Sequence, residues 1–167
     1  MVWTHKIQEK QADIYLMRYN FLEFLRILLV ALTSSGIFAV VFIDNFYLKL
    51  VTAIVSAISL FITTYFKSYD LKNLQKQHKK SALEWLELRE NIMTVLCDIA
   101  INKYDEDQLI EKRDEFLKGK IEIAKRTLDV GEKAVKKASK DLKVRGDNNY
   151  SDDEIDSFLP QLARKNK

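Results

Sequence analysis

Two uncharged apolar runs of 17 residues each lie six residues apart, at residues 27–43 and 50–66. As an α-helix each run is about 26 Å long, slightly shorter than a hydrocarbon core of roughly 30 Å. Apolar flanking residues lengthen both runs, and residues 44–49 suit a short interfacial turn. The pattern predicts a transmembrane hairpin. Two core helices of a soluble domain are the alternative, but consecutive runs that are apolar on every face are unusual in a 19.5 kDa chain.

The basic residues beside the two runs predict their orientation. Nine lysines and arginines flank the hairpin on the side of the two chain ends, whereas the turn carries only Lys49. The positive-inside rule therefore predicts that both termini lie in the cytoplasm and that the turn lies on the outer side of the membrane. A cleaved secretory signal is a poor explanation, because a second span of equal strength follows the first directly.

Heptad spacing outside the runs predicts long helices. One stripe enters the first run without a break and predicts a single helix of about 40 residues; its members are Trp3, Ile7, Lys10, Ile14, Met17, Phe21, Phe24 and Leu28. A second stripe predicts one helix from about Leu48 to Asn102; its members after the span are Leu71, Leu74, His78, Ser81, Trp85, Leu88, Ile92, Val95, Ile99 and Asn102.

A third helix is predicted to start at Asp105, where Gln108 completes a capping-type signal, and to return antiparallel toward the membrane. Its stripe comprises Ile110, Asp114, Leu117, Ile121, Ala124, Leu128, Gly131, Val135, Ala138 and Leu142. Ser151 and Glu154 form another capping pair, which predicts a short helix ending before Pro160.

The predicted fold class is therefore all-α, with four parts. They are a cytoplasmic amphipathic helix (1–26), the transmembrane hairpin (27–66), a cytoplasmic helical bundle (67–144), and a loop, short helix and tail (145–167). Because the stripes offer more apolar length than one chain covers, we expect a coiled-coil-like bundle in a homo-oligomer.

Composition agrees with a helical protein and narrows its function. Only four glycines and one proline occur, and the single cysteine, Cys97, excludes an internal disulfide framework. The net charge of +3 is modest, so no nucleic-acid binding is expected.

A stripe of hydroxyl groups on the second span is the main candidate site. Thr52, Ser56, Ser59 and Thr63 share one helix face. They are typical either of a water-filled path in an oligomer or of close helix packing. The first span carries a matching face of small residues, namely Ala31, Ser35 and Ala39.

Charged and polar residues beside the spans supply further candidates. Glu23 and Arg26 are three residues apart at the inner end of the first span, where they could pair with each other or form a charged ring at a pore mouth. In the bundle, His78 is a hydrogen-bonded core residue or a protonation-sensitive joint. Trp85 is a core anchor or a ligand contact.

Catalytic chemistry is not expected. The two histidines have no spacing partners for a metal, no nucleophile–base set can be assembled, and no glycine-rich loop could hold a phosphate. We therefore predict that the chain is not an enzyme and uses no cofactor.

Two further segments stand out beside the amphipathic lead-in and the hairpin: Leu74-Gln75-Lys76-Gln77-His78-Lys79-Lys80-Ser81-Ala82-Leu83-Glu84-Trp85-Leu86 and the ending Asp153-Glu154-Ile155-Asp156-Ser157-Phe158-Leu159-Pro160. This layout bears a resemblance to the SLATT proteins, the two-transmembrane effectors associated with SMODS nucleotidyltransferases and SLOG nucleotide sensors in bacterial conflict systems. It implies an antiphage effector that permeabilises the inner membrane when a partner or nucleotide signal triggers it, causing cell death or arrest. A nucleotidyltransferase, reverse transcriptase or nucleotide sensor is then the candidate partner, and the lipid bilayer is the target.

A structural role is the alternative class. A membrane-anchored helical scaffold, or an accessory subunit of a membrane complex, would use the same apolar stripes. A scaffold should tolerate an unrelated hairpin in place of its spans, whereas a pore should not.

Overall fold

The structure, a computed structural model, describes residues 1–147 and residue 151, and 86% of these residues are helical with no strand among them. Five helices follow in order: α1 (Val2–Phe42), α2 (Phe46–Ser68), α3 (Leu71–Ala100), α4 (Glu106–Arg126) and α5 (Glu132–Lys143). The all-α prediction is confirmed for this part of the chain. The short helix predicted after Ser151 lies outside the described residues.

Helix α1 organises the molecule because it runs unbroken for 41 residues, as the sequence predicts. Its second half packs antiparallel against α2, where Gly36 lies opposite Thr52. Its first half packs antiparallel against α3, where His5 lies beside Ala82 and Gln8 beside His78. One rigid helix therefore contacts the apolar hairpin at one end and the bundle at the other.

The turn between α1 and α2 is shorter than predicted. It comprises Ile43, Asp44 and Asn45 only, and α2 already begins at Phe46. The Asn45 side chain accepts hydrogen bonds from the backbone N–H groups of Tyr47 and Leu48, at 2.9 and 3.3 Å. This N-cap starts the helix before the apolar run begins.

Two segments are long and apolar enough to cross a membrane. One is Val2–Phe42, and the other begins at Phe46. Within the most apolar 18 residues of each, only 6% of the residues are buried. A core helix of a soluble protein would have most of these residues buried, so the apolar surface here faces outward.

The predicted single helix from Leu48 to Asn102 is wrong at Tyr69 and Asp70, where the chain is not helical. Asp70 acts as the N-cap of α3, because its carboxylate accepts a hydrogen bond from the backbone N–H of Asn73 at 2.9 Å. An aspartate that competes for backbone donors in this way ends one helix and starts another without proline or glycine.

The predicted third helix is also divided in two. Its start is confirmed, since Asp105 and Gln108 form a complete capping box. The chain leaves the helix at Thr127, however, and α5 begins only at Glu132. The prediction included residues 127–131 in the helix because the apolar spacing of the stripe continues through Leu128 and Gly131.

Helices α3 and α4 form an antiparallel hairpin. Its core contains Trp85, Leu88 and Ile123, with Ile92 and Phe116 packed against them. The predicted α3 stripe is confirmed from Leu71 to Leu88. Helix α5 lies instead against α1, where Ala134 and Ala138 are fully buried.

Two predicted stripes are only partly covered by the other described helices. On α1 the members Met17, Phe21 and Phe24 are about two-thirds exposed, whereas Gln8 and Ala12 are buried. On α4 the members Leu117 and Ile121 are half exposed. Apolar residues at steps of three and four identify a face of a helix that is suited to packing. When a helix has two such faces, the spacing does not tell which one packs against other helices of the same chain.

Candidate functional site

The contact between α1 and α2 is closest at Gly36. A Cβ atom at this position would lie 2.8 Å from the hydroxyl oxygen of Thr52 and 3.1 Å from its methyl carbon. Leu29 and Ile62 are buried in the same contact. Glycine is therefore needed here for the two helix backbones to approach, in the manner of small-residue contacts between membrane helices.

The hydroxyl stripe lies partly in this contact. Thr52, Ser56 and Ser59 are half-buried on the face of α2 that meets α1, and Thr63 is exposed. Three of the hydroxyls donate to carbonyl oxygens four residues back: Thr52 to Leu48, Ser56 to Thr52, and Thr63 to Ser59. Their donors are thus satisfied inside the helix. Both predicted roles, packing and pore lining, stay predictions.

The predicted small-residue face of α1 is not the face that meets α2. Ala31 and Ser35 are exposed and Ala39 is half-buried. Leu29, half-buried Thr33 and Gly36 occupy the contact instead, about half a turn away from Ala31. A role for the small-residue face in contacts between copies stays a prediction.

Glu23 and Arg26 pair with each other at the end of the hairpin that lies toward the α1–α3 contact. An Arg26 guanidinium nitrogen lies 2.5 Å from a carboxylate oxygen of Glu23, and the guanidinium carbon lies 5.6 Å from the centre of the Phe66 ring. The pair thus neutralises two charges beside the spans and also joins α1 to α2. The predicted role as a pore mouth stays a prediction.

A buried polar cluster joins α1, α3 and the loop before α5. The Gln8 side-chain nitrogen donates to the carbonyl of Leu128 at 3.0 Å, and Oε1 of Gln8 lies 2.6 Å from Nδ1 of His78. Since an amide oxygen only accepts, His78 must donate from Nδ1. Gln8 and His78 are 3% and 1% exposed, so neither group has water as an alternative partner.

His78 is held in its neutral form. Burial lowers its pKa below the usual 6.5, because the charged ring would be poorly solvated. The ring of Tyr15 stacks on it, with 5.4 Å between ring centres. His78 is therefore a hydrogen-bonded core residue; the prediction that it couples the bundle to the spans is not tested by this geometry.

Trp85 fixes the end of α4. Its indole Nε1 donates to the Thr127 hydroxyl at 3.2 Å, and that hydroxyl donates to the carbonyl of Ile123 at 2.7 Å. Trp85 is also part of the α3–α4 core. The same residue thus anchors the core and positions the first residue of the loop that Gln8 binds.

Further contacts fasten the loop, α5 and the residues after α5 to α1. The backbone N–H of Gly131 donates to the side-chain oxygen of Gln11 at 3.0 Å. Lys10 lies 2.5 Å from the buried carboxylate of Asp141, and Lys6 lies 2.8 Å from Asp147. The hydrogen bond from Lys10 lowers the pKa of Asp141, which keeps this carboxylate charged.

Sequence reasoning missed Gln8, Gln11 and Asp141. A signal was present, since Gln8, Gln11 and Ala12 share one face of α1, and Asp141 continues the face of Ala134 and Ala138 on α5. Polar residues on such a face looked like solvated positions, because their partners lie more than 100 residues away along the chain.

Within residues 1–147 and 151, no group of three or more histidine, cysteine or acidic side chains could hold a metal ion. The distinctive contacts instead tie backbone segments together, and both the polar cluster and the Gly36 contact depend on α1.

Comparison with known proteins gave one result. A family model described as SMODS and SLOG-associating 2TM effector domain family 4 matches residues 1–154, which include all five helices. Neither the curated proteins nor the solved structures gave a match.

Proposed function

The chain belongs to family 4 of the SMODS and SLOG-associating 2TM effector domains, and from that membership we propose that it permeabilises the inner membrane as the effector of an antiphage system. The resemblance seen in the sequence is confirmed, as is the coarser description: a two-pass membrane effector associated with conflict systems. Oligomerisation, the open path and the triggering signal belong to the proposal.

The continuity of α1 is the observation that carries this function. Gln8, in the polar cluster, and Gly36, in the span contact, lie on one helix about 42 Å apart. A rotation or shift of α1 at the cluster must therefore be transmitted to the α1–α2 contact. A helix that links a packed bundle to two spans in this way is what a triggered membrane effector requires.

In the proposed mechanism a resting assembly keeps the contact around Gly36 closed. A partner or nucleotide signal acts on the cytoplasmic bundle and changes how α1 packs on α3. The face with Thr52, Ser56 and Ser59 then leaves α1 and lines a path between copies, where hydroxyl groups can solvate water or ions. Both termini remain in the cytoplasm throughout, and cell death or arrest follows from the lost ion gradients.

Paired substitutions on α2 test this proposal. The change Ser56→Leu plus Ser59→Leu puts bulky apolar groups on the candidate path, and we expect it to abolish dye uptake and loss of membrane potential after induced expression. The matched control is Ala53→Leu plus Ala57→Leu, which adds leucines at exposed positions of the same helix and should leave permeabilisation intact.

A third variant separates a blocked path from disturbed packing. Ser56→Ala plus Ser59→Ala removes the hydroxyls without adding bulk, so the hairpin should still pack while ion flux decreases. Full permeabilisation by the Ser56→Leu, Ser59→Leu variant at equal membrane level would discard the lining role.

A scaffold is the second candidate, and one observation favours it. The hydroxyls of Thr52 and Ser56 donate to their own helix and are half-buried against α1, as in helices that simply pack. Replacing residues 27–66 by an unrelated hairpin distinguishes the two functions. Retained cell arrest would support the scaffold, whereas lost arrest with normal membrane insertion would support the pore.

A further inference from the structure

The α3–α4 hairpin carries an apolar face that no other described helix covers. Five large side chains on it, which we call the outer hairpin face, are 45–54% exposed: Met93, Leu96, Ile110, Leu117 and Ile121. They are distinct from the core between the two helices, which contains Trp85, Leu88 and Ile123. Large apolar side chains that stay exposed together on one surface are typical of interaction sites.

The five side chains lie on one side of the hairpin. At 100° per residue, Met93 and Leu96 are rotated in the same sense from the core row of α3 as Leu117 and Ile121 are from the core row of α4. Because the two helices run antiparallel, rotations in the same sense turn both rows toward the same side of the hairpin. Leu96 and Arg113 accordingly line one shared groove.

This face continues an interface that already exists within the chain. His78 and Ala82 are the α3 positions that contact α1. Leu96 follows His78 by 18 residues, or five complete turns, and Met93 follows Ala82 by about three turns. Helix α1 begins at Val2, close to Ala82. It therefore covers α3 only as far as the neighbourhood of Ala82, whereas the same face of α3 continues toward Leu96.

A second copy of this chain fits the uncovered face. Two spans fix the height of every copy relative to the bilayer, so identical faces meet at the same level on neighbouring molecules. The border of the face on α4 alternates in charge through Asp114, Lys118, Glu122 and Lys125. Each charge therefore lies about one helical turn from an opposite charge of an adjoining copy, and the border presents no field of one sign.

We propose that the outer hairpin face binds the same hairpin of a second copy, extending the α1–α3 interface into a bundle between chains. This inference rests on the proposed function, because it supplies the contact that holds the resting assembly together. It places the first assembly contact in the cytoplasmic hairpin and leaves the spans free to rearrange.

Cysteine cross-linking in intact inner-membrane vesicles tests the proposal with the full chain. Cys97 is the single native cysteine, is exposed, and adjoins Leu96. A short bis-maleimide should therefore give a product of twice the 19.5 kDa chain mass. The variant Leu117→Cys in a Cys97→Ser background should do the same from the centre of the face. Glu87→Cys in that background, exposed on the opposite side of α3, should stay monomeric.

Charge insertion supplies the second arm. With Cys97 retained, Leu117→Glu plus Ile121→Glu should lower the dimer yield at least fivefold. Asn91→Glu plus Thr94→Glu, which adds two carboxylates at exposed positions away from the face, should leave the yield unchanged. Circular dichroism of both purified variants checks that the helices remain.

Three results would overturn the proposal. The first is a monomer in every background. The second is a cross-linked product whose mass requires a different protein. The third is protection of Leu117→Cys from maleimide in a monomer, which means that the chain covers its own face.

Permeabilisation is measured in parallel. Dimers without dye uptake would refute the proposed function alone, and dye uptake without dimers would refute this inference alone.

Discussion

The Oε1 atom of Gln8 lies 2.6 Å from Nδ1 of His78, and this buried pair joins two helices whose residues are 70 positions apart. The other end of the Gln8 amide binds the Leu128 carbonyl. One side chain therefore holds α1, α3 and the loop before α5 in a fixed relation. Any signal that reaches the bundle must either preserve this arrangement or break it.

Replacing Gln8 by leucine should destabilise the bundle strongly. The change leaves the His78 N–H and the Leu128 carbonyl without their partner, and each buried unsatisfied group costs about 1–3 kcal/mol. We expect the free energy of unfolding in detergent to fall by about 2–4 kcal/mol. The matched control is Gln77→Leu, at an exposed position of α3, which should change stability by less than about 0.5 kcal/mol. Equal effects of the two changes would contradict the bridging role of Gln8.

Gly36 and Thr52 should behave as a coupled pair. Gly36→Ala places a methyl group 2.8 Å from the Thr52 hydroxyl, so the hairpin must loosen at a cost of about 1–3 kcal/mol. Thr52→Ala removes both close atoms and leaves only Cβ at 3.5 Å, an ordinary contact. The double variant should therefore regain most of the lost stability, as measured by thermal unfolding in detergent.

The control for this pair is Ser34→Thr, which adds a methyl group at an exposed position of the same helix. It should have little effect with or without Thr52→Ala. Additive effects of Gly36→Ala and Thr52→Ala would show that the two helices do not meet at this point.

The sequence predicted most of the helices because the apolar rows and caps are local signals. The long α1 and the capping box at Asp105 are examples. The helix ends at Tyr69 and Thr127 were missed, since no glycine or proline marks them. Asp70 stops one helix by capping the next, and the segment after Thr127 leaves the helix because Gln8, Gln11 and Trp85 bind it from a distance.

The faces were harder to predict than the helices. Helix α1 carries an apolar row through Met17 and Phe21, and the sequence favoured that row over Gln8 and Gln11 as a packing face, within the chain or between copies. The structure buries the glutamines instead, because each amide finds a specific partner and hydrogen bonding offsets the desolvation of a polar group. Only the three-dimensional arrangement brings those partners together.

Trp85 and Thr127 should show a measurable coupling energy. Trp85→Phe keeps an aromatic ring in the core but loses the 3.2 Å hydrogen bond to the Thr127 hydroxyl, and Thr127→Val loses it from the other side. A double-mutant cycle by chemical denaturation should give a coupling of about 1 kcal/mol. Leu88→Met, a volume-conserving change in the same core, serves as the control and should show no coupling to Thr127→Val.

The bundle should become more stable between about pH 5.5 and 7.5, with His78 responsible. Burial lowers the pKa of His78 in the folded state, so near its unfolded pKa of about 6.5 the unfolded chain binds more protons, and the free energy of unfolding rises with pH. The carboxylates of Glu9 and Asp141, which pair with lysines of α1 and α3, have lowered pKa values and titrate below this range. His78→Gln should flatten the dependence in this interval, measured by thermal unfolding at constant ionic strength, whereas His5→Gln should retain the His78 contribution. A slope that survives His78→Gln would assign the pH response to another group.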